Sequence, residues 1–357
     1  MTRVKFLSRI TPAEWNRYFP GGGTTWKSCE FTFDRDDRDY DWVVVYDDVP
    51  PAAGLGAKQA VEELACPRAN TLLITTEPAT IKCYGLHYTG QFGHVLTTQP
   101  AWALPHPQRH WQQTANHWYY GGNAGHEMSR ERLEAGPGPK TRMASMVGSG
   151  KAQRHTQHYR RFAFMSRVQA LMPELDVFGR GYKPLQDKAE ALDDYRYHIC
   201  VENHMAPHHW TEKLSDSFLG RCLPFYAGAP DAASYFPEGS FVAVDINDPE
   251  GAVALLRQAI REDWYAQRLP LIEEARRRVL EEHHLFAVIE RIVASASRDA
   301  TSAAGGSGAA AAVAPASGPR LLSRHALRRS PGLALFHALE KIYVRLRSMF
   351  ERQGPRG

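Results

Sequence analysis

Of the 357 residues, 43% are hydrophobic and 11% aromatic, enough for two ordinary cores and far from the composition of a disordered chain. The formal net charge is +4, but nine of the 43 Lys and Arg fall in residues 320–357 against two of the 39 Asp and Glu. The remainder is slightly acidic, and no nucleic-acid partner is expected.

Five scattered cysteines, an odd number with no CxxC or other metal-ligand spacing, fit a reducing cytosol. The opening MTRVKFLSRITPAEW has too short an apolar run for a signal peptide, and no stretch is apolar enough to span a bilayer. The body of the protein is therefore expected to be soluble and cytoplasmic.

Val4 to Ser8 reads as a first strand, and Thr11-Pro12-Ala13-Glu14 as a helix start with Pro at its first position. Gly21-Gly22-Gly23 does not open a helix after a strand, so no phosphate role is assigned to it. The run from Asp34 to Asp39 is a charged turn before the strand Trp42 to Tyr46, since nothing nearby completes an oxygen cage for a metal. A β-branched strand, Asn70 to Thr76, ends on Glu77-Pro78; Pro78 keeps Glu77 out of the α region, so its carboxylate projects from a strand tip. Such a group can serve as a general base or can merely end a strand, and the residues alone leave both readings open.

Residues 88–121 are rich in aromatics and His, among them Tyr88, Phe92, Trp102, Trp111, His117, Trp118, Tyr119 and Tyr120. They suit a sugar-binding groove or plain core packing. His94, His106, His110 and His117 lack helical spacing with carboxylates, so no metal is expected. Gly136-Pro137-Gly138-Pro139 marks the expected boundary between an N-terminal domain, 1–138, and a second, 139–296.

In the second domain a strand from Met143 leads into the loop Gly148-Ser149-Gly150-Lys151 and a helix from about Thr156 to Leu171; a strand from Asp176 to Gly179 follows. Tyr197 to Val201 is a strand ending on Glu202 and Asn203. Thr211 then opens a helix through Gly220, and Leu223 to Ala227 is the next strand. Lys213 has the wrong charge for a first helical turn, a cost of a few tenths of a kcal/mol unless an anion also sits there. A diphosphate meets that condition, and Glu212 suits a ribose diol. Taken alone, the tripeptide is better read as a Thr-capped, solvated first turn.

Residues 248–296 read as helices with core-facing stripes, Ala252, Leu255, Leu256 and Ile260, then Leu280, Leu285, Val288 and Ile292. Residues 297–319 are a low-complexity linker. In the tail, 320–357, Leu333, Phe336, Leu339, Tyr343, Leu346 and Phe350 share one helical face opposite Lys341, Arg345 and Arg352. This basic amphipathic helix suits an anionic membrane surface, and docking on its own protein or pairing in a dimer are the alternatives.

The pattern E-N-x(7)-T-E-K, then L-P-x-Y-x-G, then F-P-x-x-S-F-V-x-V-D resembles the donor-binding half of the α1,3/4-fucosyltransferase family. The likeness extends upstream through Val177 to Gly181 and Lys188, covering about residues 145–250. It implies an α/β fold of two Rossmann-like domains facing across a cleft, the GT-B type, with GDP-fucose as donor and no cofactor required. Glu77 matches the family's Glu-Ser-Pro type motif, whose Glu takes the proton of the acceptor hydroxyl, although Pro78 follows directly here. The family's phosphate-binding Arg is best matched by Arg154, with Arg160 and Arg161 left open. Tyr182 falls where the family places its nucleobase pocket.

The resemblance thus implies an inverting transfer of fucose to a glycan hydroxyl, on a surface polysaccharide or lipopolysaccharide type acceptor. Lys213, Arg154 and the helix mouth at Thr211 would neutralise the departing diphosphate, Glu202 and Asn203 would orient the sugar, and Glu212 the ribose. The rivals are a transferase using another nucleotide sugar, a catalytically silent carbohydrate-binding or scaffold protein, and an adaptor tethered to the inner face of the membrane by its tail.

Overall fold

The run WVVVY at 42–46 and the run TLLI at 71–74 have no polar alternation, the pattern of strands covered on both faces, and every residue of both is buried. The computed structural model describes residues 1–51, 60–123, 126–148, 157–304 and 319–351. They divide into two compact units, one of residues 1–12, 24–114 and 289–357 and one of 13–23 and 115–288.

The first unit is built on a sheet containing β1 (Thr2–Leu7), β2 (Thr25–Trp26), β3 (Cys29–Thr32), β4 (Trp42–Tyr46), β6 (Thr71–Ile74), β7 (His94–Thr97) and β8 (Arg109–Trp111). Its order is β2-β3-β1-β4-β6-β7-β8, parallel except for the β2–β3 hairpin. Among the parallel strands the order reverses between β1 and β4, so the carboxyl ends of those two form this sheet's topological switch point. This unit's helix α2 (Leu86–Thr89) is short, and the equally short α1 (Pro12–Asn16), where Pro sits at the predicted position, passes into the second unit at Ala13. Tyr88, Phe92, Trp118 and Tyr120 are all buried, so core packing accounts for most of the 88–121 aromatics; Trp111 and Tyr119 are exposed.

The second unit holds a five-stranded parallel sheet of β9 (Arg142–Val147), β10 (Asp176–Phe178), β11 (Tyr195–Val201), β12 (Leu223–Ala227) and β13 (Val242–Ala243). The order β10-β9-β11-β12-β13 is the doubly wound pattern 2-1-3-4-5, with its switch point between β9 and β11. Its helices are α3 (Arg130–Ala135), α4 (Gln157–Leu171), α5 (Glu212–Leu219), α6 (Pro249–Arg261), α7 (Trp264–Glu281) and the start of α8 (Leu285–Ala304). Leu214, Phe218 and Leu219 of α5 meet a core that includes Ile199, Leu223, Ile272 and Val279.

Two boundaries differ from the sequence expectation. Residues 115–138 lie with the second unit, because fully buried Arg130 donates to the Leu280 carbonyl at 3.0 Å and Arg276 to the Glu134 carbonyl at 3.1 Å. The Gly-Pro repeat is thus a turn within a unit, tied by Arg221 to the Pro137 carbonyl at 3.1 Å. The presumed linker begins as helix, since α8 runs on to Ala304, its Ala and Ser content being compatible with helix.

The chain then returns to the first unit. Strand β14 (Arg320–Leu322) pairs antiparallel with β5 (Val61–Glu63), and Leu321 is fully buried in that unit's core. Helix α9 (Arg324–Leu327) follows, its first N–H bonded to Asp48 at 3.0 Å, and then α10 (Pro331–Glu351). Part of the expected apolar face meets that unit: Phe336 lies edge-on to the His87 ring at 4.8 Å, and Leu333 lines a small pocket with Tyr84, Tyr88 and Leu327. His337, Glu340 and Val344 turn inward as well, and Glu340 accepts from the Leu86 N–H at 2.8 Å. Leu335, Leu339, Ile342 and Leu346 are each more than half exposed. Among the described residues no helix is long and apolar enough to cross a membrane.

Candidate active site

Strand β11 ends at Val201, and the next residue, Glu202, is 1% exposed. A buried carboxylate is tolerated only when its oxygens are taken up. Here they accept from the Thr211 N–H at 2.8 Å, the Thr211 hydroxyl at 2.7 Å and Lys213 Nζ at 3.2 Å. Glu202 therefore pins the far end of the 203–210 loop to the strand tip and delivers the start of α5 there. Gly228 is required beside it, because a Cβ at that position would lie 2.6 Å from Glu202 Cγ and 2.1 Å from the Tyr226 hydroxyl.

Thr211 caps α5, as its place before an apolar-periodic run predicts, and Glu212 and Lys213 occupy the first turn. Lys213 Nζ reaches Thr211 Oγ1 at 3.0 Å and Glu212 Oε1 at 2.9 Å. Burial by itself would lower the Lys213 pKa, but the charges of Glu202 and Glu212 hold it well above its ordinary value. Glu212, although only slightly exposed, is kept below the usual carboxylate range by Lys213 and Lys188. One turn further along α5, buried Asp216 pairs with Lys188 at 2.8 Å and accepts from the Tyr119 N–H at 3.2 Å.

Opposite this turn, α4 supplies Arg161. Its guanidinium donates to Asn203 Oδ1 at 2.8 Å and to the Val147 carbonyl at the end of β9 at 3.0 Å. Arg161, Lys188, Glu212, Lys213 and Asp216 line one cavity of about 180 Å³ with Tyr119 at its edge and Val147 and Val201 among its walls. The cavity thus opens at the carboxyl ends of β9 and β11, where a doubly wound sheet binds its ligand. Three cations beside the first turn of a helix suit a phosphorylated ligand.

Two wall residues are inert. Burial, with Lys188 and Lys140 nearby, drives His198 down to about 3, and its ring bonds Ser145 Oγ at 2.9 Å. Burial raises the Cys200 thiol far above its usual value, so it is not a thiolate nucleophile.

Of the residues expected to bind the donor, the structure gathers Asn203, Thr211, Glu212 and Lys213 around this cavity, with Glu202 behind them. Arg154 lies outside the described residues; Arg161, one of the two alternatives, lines the cavity. Tyr182 sits in the turn after β10, its N–H bonded to the Gly179 carbonyl at 3.0 Å, and does not line the cavity. Lys188 and Tyr119 were named only within the family pattern and the aromatic-rich stretch, with no donor role, and Asp216 was not foreseen. A signal for Asp216 existed: it stands one turn from Glu212 in a helix otherwise read as apolar.

Glu77 belongs to the first unit. It is exposed at the tip of β6, and its carbonyl accepts from Gln99 Nε2 at 2.8 Å. Among the described residues no group of three or more His, Cys, Asp or Glu is placed to hold a metal ion.

Comparison with known proteins bears on the same segment. Residues 138–265 match the family described as glycosyltransferase family 10 (fucosyltransferase), C-terminal part. The α-(1,3)-fucosyltransferase FucT of Helicobacter pylori is 36% identical over 64 residues, which are 18% of this chain and 13% of that protein. A crystal structure of α1,3-fucosyltransferase with GDP-fucose aligns over 79% of this chain and 92% of its own, at 15% identity and a TM-score of 0.44. The pneumococcal O-GlcNAc transferase GtfA with UDP and GlcNAc aligns over 72% of this chain and 56% of its own, at 9% identity and a TM-score of 0.40.

Proposed function

We propose that this chain, whose residues 138–265 carry the C-terminal domain of glycosyltransferase family 10, transfers fucose from GDP-fucose to a glycan hydroxyl with inversion at the anomeric carbon. The observation that carries the reading is the cationic cavity at the β9/β11 switch point, inside the segment that matches the family.

In this reading Arg161 and Lys213 hold the pyrophosphate at the mouth of α5, and Lys188 adds positive charge behind it. Glu212 turns from Lys213 to the ribose diol, which leaves Nζ for phosphate. Asn203 fixes the Arg161 fork, and Glu202 acts through Thr211 and Lys213 rather than on the sugar. By the family resemblance Tyr182, in the turn after β10, belongs to the nucleobase end and Arg154 to the phosphate end.

The acceptor oxygen attacks the anomeric carbon as Glu77 takes its proton, and the bond from that carbon to the phosphate oxygen breaks. The electron pair leaves with GDP, whose growing negative charge the cations stabilise more in the transition state than in the ground state. No cofactor is assigned.

The exposed apolar row on α10 supports a second, separable reading, attachment of the tail to an anionic membrane surface on the cytoplasmic side. Sedimentation with anionic vesicles tests it, and a Leu339→Glu, Ile342→Glu variant should remain in the supernatant.

A thermal-shift panel of GDP-fucose, GDP-mannose, UDP-GlcNAc and GDP tests the donor, followed by mass analysis of a glycan acceptor. Stabilisation by the GDP ligands with a gain of one fucosyl mass is expected. No response to any nucleotide sugar would refute the reading.

A further inference from the structure

We propose that Asp47 is a positioning residue for Glu77, fixing the strand tip that presents the general base; the inference rests on the reading of Glu77 given above. Asp47 follows β4 directly, at the switch point of the first unit's sheet. Its φ of 74° lies in the left-handed region, where a side chain other than glycine's is strained. The residue that occupies so unfavourable a backbone position spends its whole carboxylate on the neighbouring strand's exit. Oδ1 accepts from Thr76 Oγ1 at 2.8 Å and from the Tyr84 hydroxyl at 2.6 Å, and Lys82 pairs with both oxygens. The Tyr84 hydroxyl in turn accepts from the Thr76 N–H at 2.9 Å, so Thr76 is held by side chain and backbone at once.

Thr76 is the residue before Glu77. On the other side, buried Gln99 donates to the Glu77 carbonyl at 2.8 Å and to the Lys82 carbonyl at 2.9 Å. The Asp48 contact with Arg324 and the Arg324 guanidinium, 5.4 Å from the Tyr84 ring centre, close the frame from the tail. Glu77 therefore has an exposed side chain on a backbone gripped at the residue before it and at its own carbonyl. A catalytic base needs this combination, since a displacement near 1 Å costs on the order of 100-fold in rate.

The test compares Tyr84→Phe, which keeps the buried ring and removes only the hydroxyl, with Asp47→Ala and Asp47→Asn, in the parent and in Glu77→Gln. We expect Tyr84→Phe and Asp47→Ala to lower kcat about 10- to 100-fold with KM for GDP-fucose unchanged. Asp47→Asn, which keeps an oxygen acceptor for Thr76 and Tyr84, should recover most of that loss. In the Glu77→Gln background the same changes should cost nothing further. Full turnover in Tyr84→Phe, or losses as large without Glu77 as with it, would overturn the positioning role while leaving the base intact. Full turnover in Glu77→Gln would remove the base and this inference together.

Discussion

Removing Lys213 should separate two effects of one side chain. In Lys213→Ala, Glu202 stays buried with only the Thr211 N–H and hydroxyl as donors. Breaking a buried ion pair on one side costs about 3–5 kcal/mol, and the two remaining hydrogen bonds place the expected loss near the lower end, about 3 kcal/mol. For a unit of this size that is a fall in Tm of roughly 6–12 °C. Loss of a contact to the departing pyrophosphate should reduce kcat by about 100- to 1,000-fold. In Lys213→Ala/Glu202→Gln the stranded charge is gone, so calorimetry should show most of the Tm restored while steady-state fucosyl transfer stays low. If turnover returns together with stability, or if Lys213→Ala keeps kcat within about threefold of the parent, the cation acts on the fold and not on the leaving group.

Four further outcomes follow from the geometry. Gly228→Ala drives a Cβ into Tyr226 and Glu202, and should lower stability by about 1–3 kcal/mol and weaken GDP binding in the same titration. Deleting 319–357 removes fully buried Leu321 and the β5–β14 pairing, and should cost at least about 2–3 kcal/mol by denaturant unfolding, whereas deleting 331–357 should cost less. Burial holds His198 down to about 3 and His117 and His209 to about 4, from an ordinary 6.5, so the native state stays unprotonated where the unfolded chain binds protons. Their contribution is complete above pH 6.5 and is lost as pH falls toward 4 and then 3, with a slope approaching 1.4 kcal/mol per unit per residue; His198→Gln should flatten the unfolding free energy over that range. Arg161→Lys, which loses the planar fork that spans Asn203 and the Val147 carbonyl, should weaken GDP binding about tenfold while changing Tm little.

The elements around the cavity were legible because their signals are local. Thr211 before an apolar-periodic run and Gly220 after it bound α5 where the structure does, and Leu223 to Ala227 reads as a strand from its buried-type apolar run despite Pro224. What escaped reading is carried by distant partners. Lys5 interrupts a strand pattern, yet it is fully buried because Glu62, 57 residues later, pairs with it at 2.8 Å. Lys188 gains its meaning only from Asp216, and Glu202 looked like a sugar ligand because nothing local reveals that Thr211 and Lys213 consume it. The placement of 115–138 was hidden for the same reason, since Arg130 and Arg276 act across more than 140 residues of chain. The tail's amphipathic pattern was legible, but not that a three-residue strand before it ties it to the first unit.

The central claim concerns where a pyrophosphate sits, and a crystal grown with GDP measures it. Both phosphate groups should lie at the mouth of α5, within hydrogen-bonding distance of the Arg161 guanidinium and Lys213 Nζ, with Glu212 turned to the ribose. GDP bound elsewhere, with Lys213 still closed onto Glu202 and Glu212, would contradict the account.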